Sequence, residues 1–165
     1  MSVKDLIQTM DQLNQIHESL LELSKSKTSI LVQNQVDQLN QIVNKENSLM
    51  KQITKLDHQR IDIISQFLLL KGYKPNAKIT VDDLTKLVFK AEEKMALKSA
   101  QEKLLGTIEQ LKQLNQVNQK LIEQSLAYIE YSMDLVLGPP EDEVVYHKPT
   151  HQQNSKRNGI FDSRA

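Results

Sequence analysis

Four histidines are the side chains of this 165-residue sequence best suited to proton transfer or metal binding, but their positions support neither role. Nucleophilic catalysis needs a base beside the nucleophile, and His17 and His58 lie on predicted helices with no sign of a pocket around them. His147 and His151 have the spacing of a metal-binding pair only on a helix, which Pro149 between them prevents. We therefore predict no catalytic residue and no metal site, and the protein is expected not to be an enzyme.

The few glycines and the absence of cysteine argue against other kinds of chemistry. Only four glycines occur, and no two lie close enough to form a loop that holds a nucleotide phosphate. The absence of cysteine removes thiol catalysis, disulfides and thiolate metal sites, and it fits a reducing cytosol. The 21 basic and 21 acidic residues are spread along the chain, so no basic patch for nucleic acid is expected. We predict no cofactor and no nucleic acid among its ligands.

Polar residues occur at positions where the helical pattern calls for apolar ones. Glu46 and Arg60 occupy such positions two heptads apart, and burying either charge unpaired would be costly. They either fix the alignment of packed helices or extend to the edge of the apolar seam, and the sequence leaves both interpretations open. Asn115, Asn118 and Ser125 similarly place polar groups along the apolar face of the last predicted helix.

Apolar residues spaced alternately three and four apart predict a long first helix over residues 3–31 that packs along one seam. The polar stretch after it contains Asn34, a residue type that tolerates the left-handed conformation at a helix end. This stretch is either a turn or a stutter in a longer helix. A regular heptad over residues 39–70 then predicts a second helix of about 35 residues, or roughly 50 Å.

The end of the second helix and the start of the third carry clear local signals. Gly72 and Pro75 follow directly after the apolar run, and glycine followed by proline commonly ends a helix. Thr80 can cap the next helix, and Asp83 lies three residues later in its first turn. The third helix is therefore expected to begin at Val81.

The last long helix is expected to reach residue 137, after a bend or break between residues 90 and 97 where a charged stretch shifts the apolar stripe. This helix carries two apolar stripes, which cover a wider face than a two-helix seam needs. The face either binds a partner or packs against two helices of the same bundle. Gly106 within it costs about 1 kcal/mol relative to alanine, which a closely approaching helix, a hinge or simple tolerance would explain.

Together these patterns predict an all-α protein, an elongated antiparallel bundle or coiled coil of three to four helices in residues 1–137. Four glycines and four prolines are too few for the turns of a β-sandwich or barrel. Residues 138–165 show no periodicity and are expected to form a disordered tail. With neither a signal-peptide pattern nor a long apolar run, we predict a cytoplasmic protein without membrane insertion.

Residues 114–131, with the sequence LNQVNQKLIEQSLAYIEY, resemble the signature of the FlgN family of flagellar type III export chaperones. In that family a long helix carries a similar pattern. A leucine is followed four residues later by an asparagine, and three residues after that by a leucine whose next residue is leucine or isoleucine. The order of elements is also similar: a long first helix, a polar turn at residues 33–35, a helix with Lys45 and Glu46 near its start, a short third helix and a tail. The resemblance covers most of the chain.

The resemblance implies a cytoplasmic chaperone that binds hook-filament junction proteins, keeps them unassembled and delivers them to the flagellar export gate. A wide apolar face on a long helix can cover an amphipathic terminal helix of such a cargo protein. By resemblance we expect eight residues of the last helix to contact cargo, namely Leu111, Leu114, Asn115, Asn118, Leu121, Ile122, Ser125 and Ile129.

The resemblance also implies that a tail tyrosine, here Tyr146, binds the cytoplasmic domain of the export gate. Tyrosine supplies a large apolar surface and a hydroxyl at modest entropic cost, which suits a reversible handover. The alternative function is a self-associating structural coiled-coil protein without a role in export. A homodimer in the absence of cargo is compatible with either function.

Overall fold

A computed structural model of the protein describes residues 2–76 and 79–138. It contains four helices, which are α1 (Val3–Val32), α2 (Val36–Leu70), α3 (Val81–Leu87) and α4 (Ala91–Leu137). These helices hold 88% of the described residues, among which there is no strand. The predicted all-α fold is therefore confirmed. The predicted tail beyond Gly138, including Tyr146, His147 and His151, lies outside the described residues.

Most helix ends follow the local signals in the sequence. Asn34 has a φ angle of 54°, so residues 33–35 form a turn between α1 and α2 and not a stutter within one helix. Gly72, just after α2, has a φ angle of 81°, which glycine adopts without strain. At α3, the Asp83 N–H donates to the Thr80 hydroxyl at 3.2 Å, and the Thr80 N–H donates to the Asp83 carboxylate at 3.3 Å. The capping box predicted at Thr80 is therefore confirmed.

Two capping boxes, at the starts of α1 and α3, place carboxylates where they accept hydrogen bonds. The Thr80 hydroxyl donates to the Asp83 carboxylate at 2.7 Å, and this bond is the main reason that the pKa of Asp83 is lowered to about 2. Ser2 and Asp5 form an equivalent box at the start of α1, which was not predicted. The Ser2 N–H donates to the Asp5 carboxylate at 2.6 Å and lowers its pKa.

The interruption before the last helix lies earlier than predicted. α3 ends at Leu87, Val88 has an extended backbone with a ψ angle of 130°, and α4 begins at Ala91. The predicted interruption is therefore present but spans residues 88–90, at the start of the expected range of about 90–97, and residues 91–97 are regular helix. The Val88 side chain is only 4% exposed and packs in the core. This packing accounts for the departure of the backbone from helical conformation at Val88. The charged stretch instead forms the first turn of α4, where the acidic side chains interact favourably with the helix dipole.

The core lies where α1 begins and α2 ends, and we call it the apolar core. Its buried members are Val3, Leu6, Met10, Ile63, Ile64, Leu68, Leu84, Val88, Leu97 and Ala100. Early residues of α1 meet late residues of α2, so these two helices are antiparallel. The side-chain contacts between α1 and α4 advance in the same direction along both helices, so α4 runs parallel to α1. The short α3 segment lies at this same end of the bundle, where Leu84 packs in the apolar core before α4 begins.

Two compact units divide the chain, Met1–Tyr128 and Ile129–Ala165, and their boundary falls inside α4. The contacts described below lie in the first unit unless the second is named. Within residues 2–76 and 79–138, no helix has both the length and the apolar character that crossing a membrane requires.

Candidate functional site

A groove of about 540 Å³ lies between α1, α2 and α4, beyond the apolar core, and we call it the central groove. Four of the eight predicted cargo residues line it, namely Leu111, Asn115, Asn118 and Ile122. The other lining residues are Leu20, Ser24, Lys27, Glu46, Asn47, Met50, Gln119 and Glu123. The walls thus combine apolar and polar side chains, as expected for a surface that receives a segment with one apolar face.

A row of polar side chains joins α1 to α4 along this groove. The Ser24 hydroxyl donates to the Asn115 side-chain oxygen at 3.1 Å, and the Asn118 amide donates to the Ser24 carbonyl oxygen at 3.0 Å. The Thr28 hydroxyl donates to the Asn118 side-chain oxygen at 2.6 Å. Ser24 is 1% exposed and Asn118 is 2% exposed. Because buried polar atoms are costly unless they are paired, these bonds explain how polar residues are accommodated on this face of α4.

The row continues toward the apolar core through a second pair of buried residues. The Thr107 hydroxyl donates to the Asn14 side-chain oxygen at 2.8 Å, and the Asn14 amide donates to Glu18 at 2.8 Å. We call the six residues Asn14, Ser24, Thr28, Thr107, Asn115 and Asn118 the polar seam. Within the described part of the chain, no buried side-chain nitrogen or oxygen lacks a partner. A shift of α4 along α1 would unpair several of these groups, so the seam fixes the alignment of the two helices.

Glu46 forms an ion pair with Lys27 of α1 at the edge of the central groove. The Lys27 Nζ atom lies 2.9 Å from a Glu46 carboxylate oxygen, and only 17% and 18% of the two side chains are exposed. The pair gives Glu46 the aligning role that the sequence left open. Lys27 was missed because the two residues belong to different helices. Arg60 pairs within α2 with Asp57 at 2.8 Å and is more exposed, at 29%, which fits a position nearer the edge of the seam.

The other predicted cargo residues divide between two locations. Leu114, Leu121 and Ser125 are half-buried on the face of α4 that carries the polar seam. Buried and half-buried positions recur on this face every three or four residues, as they do where a helix packs on a bundle. Ile129 belongs to the second unit, where it is 51% exposed. Much of the predicted face is therefore turned toward the protein's own helices.

A further group of apolar side chains on α4 is exposed. In the first unit, Leu105, Ile108, Val117 and Leu126 are 38% to 56% exposed. In the second unit, Ile129, Tyr131, Met133, Leu135, Val136 and Leu137 are 51% to 82% exposed. Apolar surface of this extent is typical of a contact with another protein. Leu126 was not predicted as a contact, because periodicity shows which residues share a face but not which face is left uncovered.

The chain is similar to known proteins over its whole length. Residues 1–154 match the family described as FlgN protein. A protein of Bacillus subtilis (strain 168), described as uncharacterized protein YvyG, is 32% identical over 167 aligned residues that cover 100% of both chains. No solved structure matches the chain. The region matched by the family includes all four helices and therefore the central groove.

Proposed function

Because the chain belongs to the FlgN family, a family of flagellar export chaperones, we propose that it binds hook-filament junction proteins, keeps them unassembled and delivers them to the flagellar type III export gate. The proposal places this activity in the cytoplasm, before export. It assigns cargo binding to residues 1–137 and engagement of the gate to residues 138–165.

The observation that carries the proposal is the apolar stripe of α4 that borders the central groove. Ile122 lines the groove. Ile108 lies fourteen residues before it and Leu126 four residues after it, spacings that return to the same face of a helix. An amphipathic partner helix presents apolar residues with matching spacing. Each square ångström of apolar surface covered by such a helix contributes about 25 cal/mol. The stripe is thus suited to the terminal helix of a junction protein.

The burial of the eight candidate residues suggests different roles for them. Leu111, Asn115 and Ile122 line the groove, and we assign them direct contact with cargo. Asn118 is hydrogen-bonded to α1, so its first role is to align α4. Leu114, Leu121 and Ser125 face the bundle and contact cargo only when α4 moves. Ile129, in the second unit, is assigned to cargo contact on its exposure alone.

Binding of the purified full-length protein to the junction proteins of the same bacterium tests this proposal. The double substitution Ile122→Asp and Leu126→Asp places two charges on the groove-facing stripe, and we expect binding to weaken at least about tenfold because a charge covered by an apolar partner is unpaired. The matched control, Gln116→Asp with Gln124→Asp, changes two exposed residues elsewhere on α4 and should bind like the unmodified chain. Equal binding by the groove variant, with its helical circular dichroism intact, would contradict the proposal.

For the gate, we propose that Tyr146 makes the main contact, as the family resemblance implies. Tyr146→Ala should weaken binding to the purified cytoplasmic domain of the export gate and leave binding to junction proteins unchanged. Tyr73→Ala, at a tyrosine that is 53% exposed, is the matched control. Similar losses from both substitutions would refute a specific role for Tyr146.

The exposed apolar residues of α4 also favour a second candidate function, a self-associating structural coiled-coil protein. That function predicts an oligomer whose mass does not change when junction proteins are added. The chaperone function instead predicts that cargo displaces any homodimer from the same surface. Size-exclusion chromatography with light scattering, with and without cargo, separates the two.

A further inference from the structure

The contacts that hold α4 on the bundle differ in kind along its length. α4 has four buried residues. The first two, Leu97 and Ala100, belong to the apolar core. The next two, Thr107 and Asn118, belong to the polar seam. We call residues 107–125 the distal segment of α4. Its own buried side chains are polar and hydrogen-bonded to α1, and its leucines are only half-buried.

These two kinds of contact differ in how much free energy is lost when they open to water. Apolar side chains that leave the core expose surface for which water offers no compensating interaction. The donors and acceptors of the polar seam exchange their protein partners for water, so the net loss per hydrogen bond is small. The seam therefore specifies where the distal segment lies while holding it less firmly than the apolar core holds Leu97.

Gly106 lies where these two parts of α4 meet. A Cβ atom added at this position meets nothing within 4 Å, so close approach of a neighbouring helix does not explain the glycine. Glycine has the greatest backbone freedom of any residue and lowers the stability of a helix interior. A residue with these properties at the end of the firmly packed part of a helix is suited to act as a hinge.

We infer that the distal segment of α4 opens away from α1 about Gly106 while the apolar core stays closed, and that this opening admits an amphipathic helix to the central groove. The identity of that helix rests on the proposed function, but the opening itself does not. Opening would uncover Leu114 and Leu121, which face the bundle when the seam is closed, and would widen the groove beside Leu111. The partner helix then covers these leucines. The ion pair of Lys27 with Glu46 joins α1 to α2, so it persists in both states.

Distances between spin labels in the full-length protein test the opening. The chain has no cysteine, so labels can be attached at pairs of introduced cysteines. A distal pair at the exposed residues Ser29 and Lys120 reports on the polar seam, and a proximal pair at the exposed residues Gln8 and Lys98 reports on the core end. Pulsed electron spin resonance should give two distances for the distal pair, one of them longer, and a single distance for the proximal pair. A distance distribution for the distal pair as narrow as that for the proximal pair would overturn the inference.

Replacing the seam by apolar contacts should close the distal segment. Asn118→Leu with Thr28→Val keeps the number and branching of the side-chain heavy atoms, and we expect it to reduce the long-distance population about tenfold. Gln116→Leu adds a leucine on an exposed face of the same segment and should leave the distances unchanged. An open population that the seam variant does not reduce would also overturn the inference.

Cargo binding separates this inference from the proposed function. Because only the open fraction binds, a tenfold smaller open population should weaken the apparent affinity for a junction protein about tenfold. An unchanged affinity in the seam variant, despite a reduced open population, would overturn the inference that opening admits the partner helix to the central groove. A complete absence of binding by every variant and by the unmodified chain would instead contradict the proposed function, with the label distances still reporting on the opening.

Discussion

Replacing Leu97 by alanine measures how much the apolar core contributes to stability. Leu97 is 0% exposed, and the space beside it amounts to only about 10 Å³. The substitution removes three carbon atoms, which costs about 2.4 kcal/mol at about 0.8 kcal/mol per methylene group. A cavity of roughly 80 Å³ adds about 2 kcal/mol at about 24 cal/mol per Å³. We therefore expect the free energy of unfolding to fall by about 4 kcal/mol, a large share of the 5–15 kcal/mol or so that is typical of a folded domain.

Urea unfolding followed by circular dichroism provides the measurement, with the slope of the transition compared between variants to confirm that the same surface is exposed. Leu105→Ala is the matched control, because it removes the same atoms from the same helix at a position that is 56% exposed. Its expected cost is less than about 1 kcal/mol. Equal costs for the two substitutions would refute the conclusion that burial at the core end anchors α4.

Three further changes test individual contacts. Lys27→Ala leaves the Glu46 carboxylate partly buried without its partner and should lower the free energy of unfolding in urea by about 1–3 kcal/mol; a negligible change would show that the pair behaves as an exposed one. Gly106→Ala should raise the free energy of unfolding by about 1 kcal/mol and the melting temperature with it, because there is space for the methyl group, and a decrease would show that glycine is required. The pKa of Asp83, lowered from 3.8 to about 2, means that this carboxylate stabilises the folded state above about pH 4 and that the contribution is lost as the pH falls toward 2. Thr80→Val should return that pKa toward 3.8 in an NMR titration, and an unaltered pKa would exclude the cap as its cause.

Helix ends were predictable where their causes are local. Thr80 and Asp83 cap α3 through hydrogen bonds between residues three positions apart, and Asn34 turns the chain through its own backbone conformation. The break before α4 was misplaced because its cause is tertiary. Val88 leaves the helix to pack in a core formed by four helices, and its neighbours in the sequence carry no sign of that contact.

The candidate site was predictable only in part, for a related reason. Four of the eight residues expected to bind cargo do line one groove, because residues at helical spacing necessarily share a face. Their partners were not predictable. Thr28 and Asn118 are 90 residues apart in the chain, and no periodicity within one helix relates them. The packed bundle was therefore needed to show that Asn118 aligns α4 with α1.

The sequence by itself determined that the chain is helical and which residues of each helix lie on the same side, because hydrogen bonds and caps within a helix join residues three or four positions apart. The tertiary structure decided which side is covered. Leu97 and Leu105 are the same residue type on the same helix, yet one is 0% exposed and the other 56%. The difference arises because burial depends on how helices distant in sequence meet, and that arrangement decides where α4 carries hydrogen-bonded polar groups and half-buried leucines.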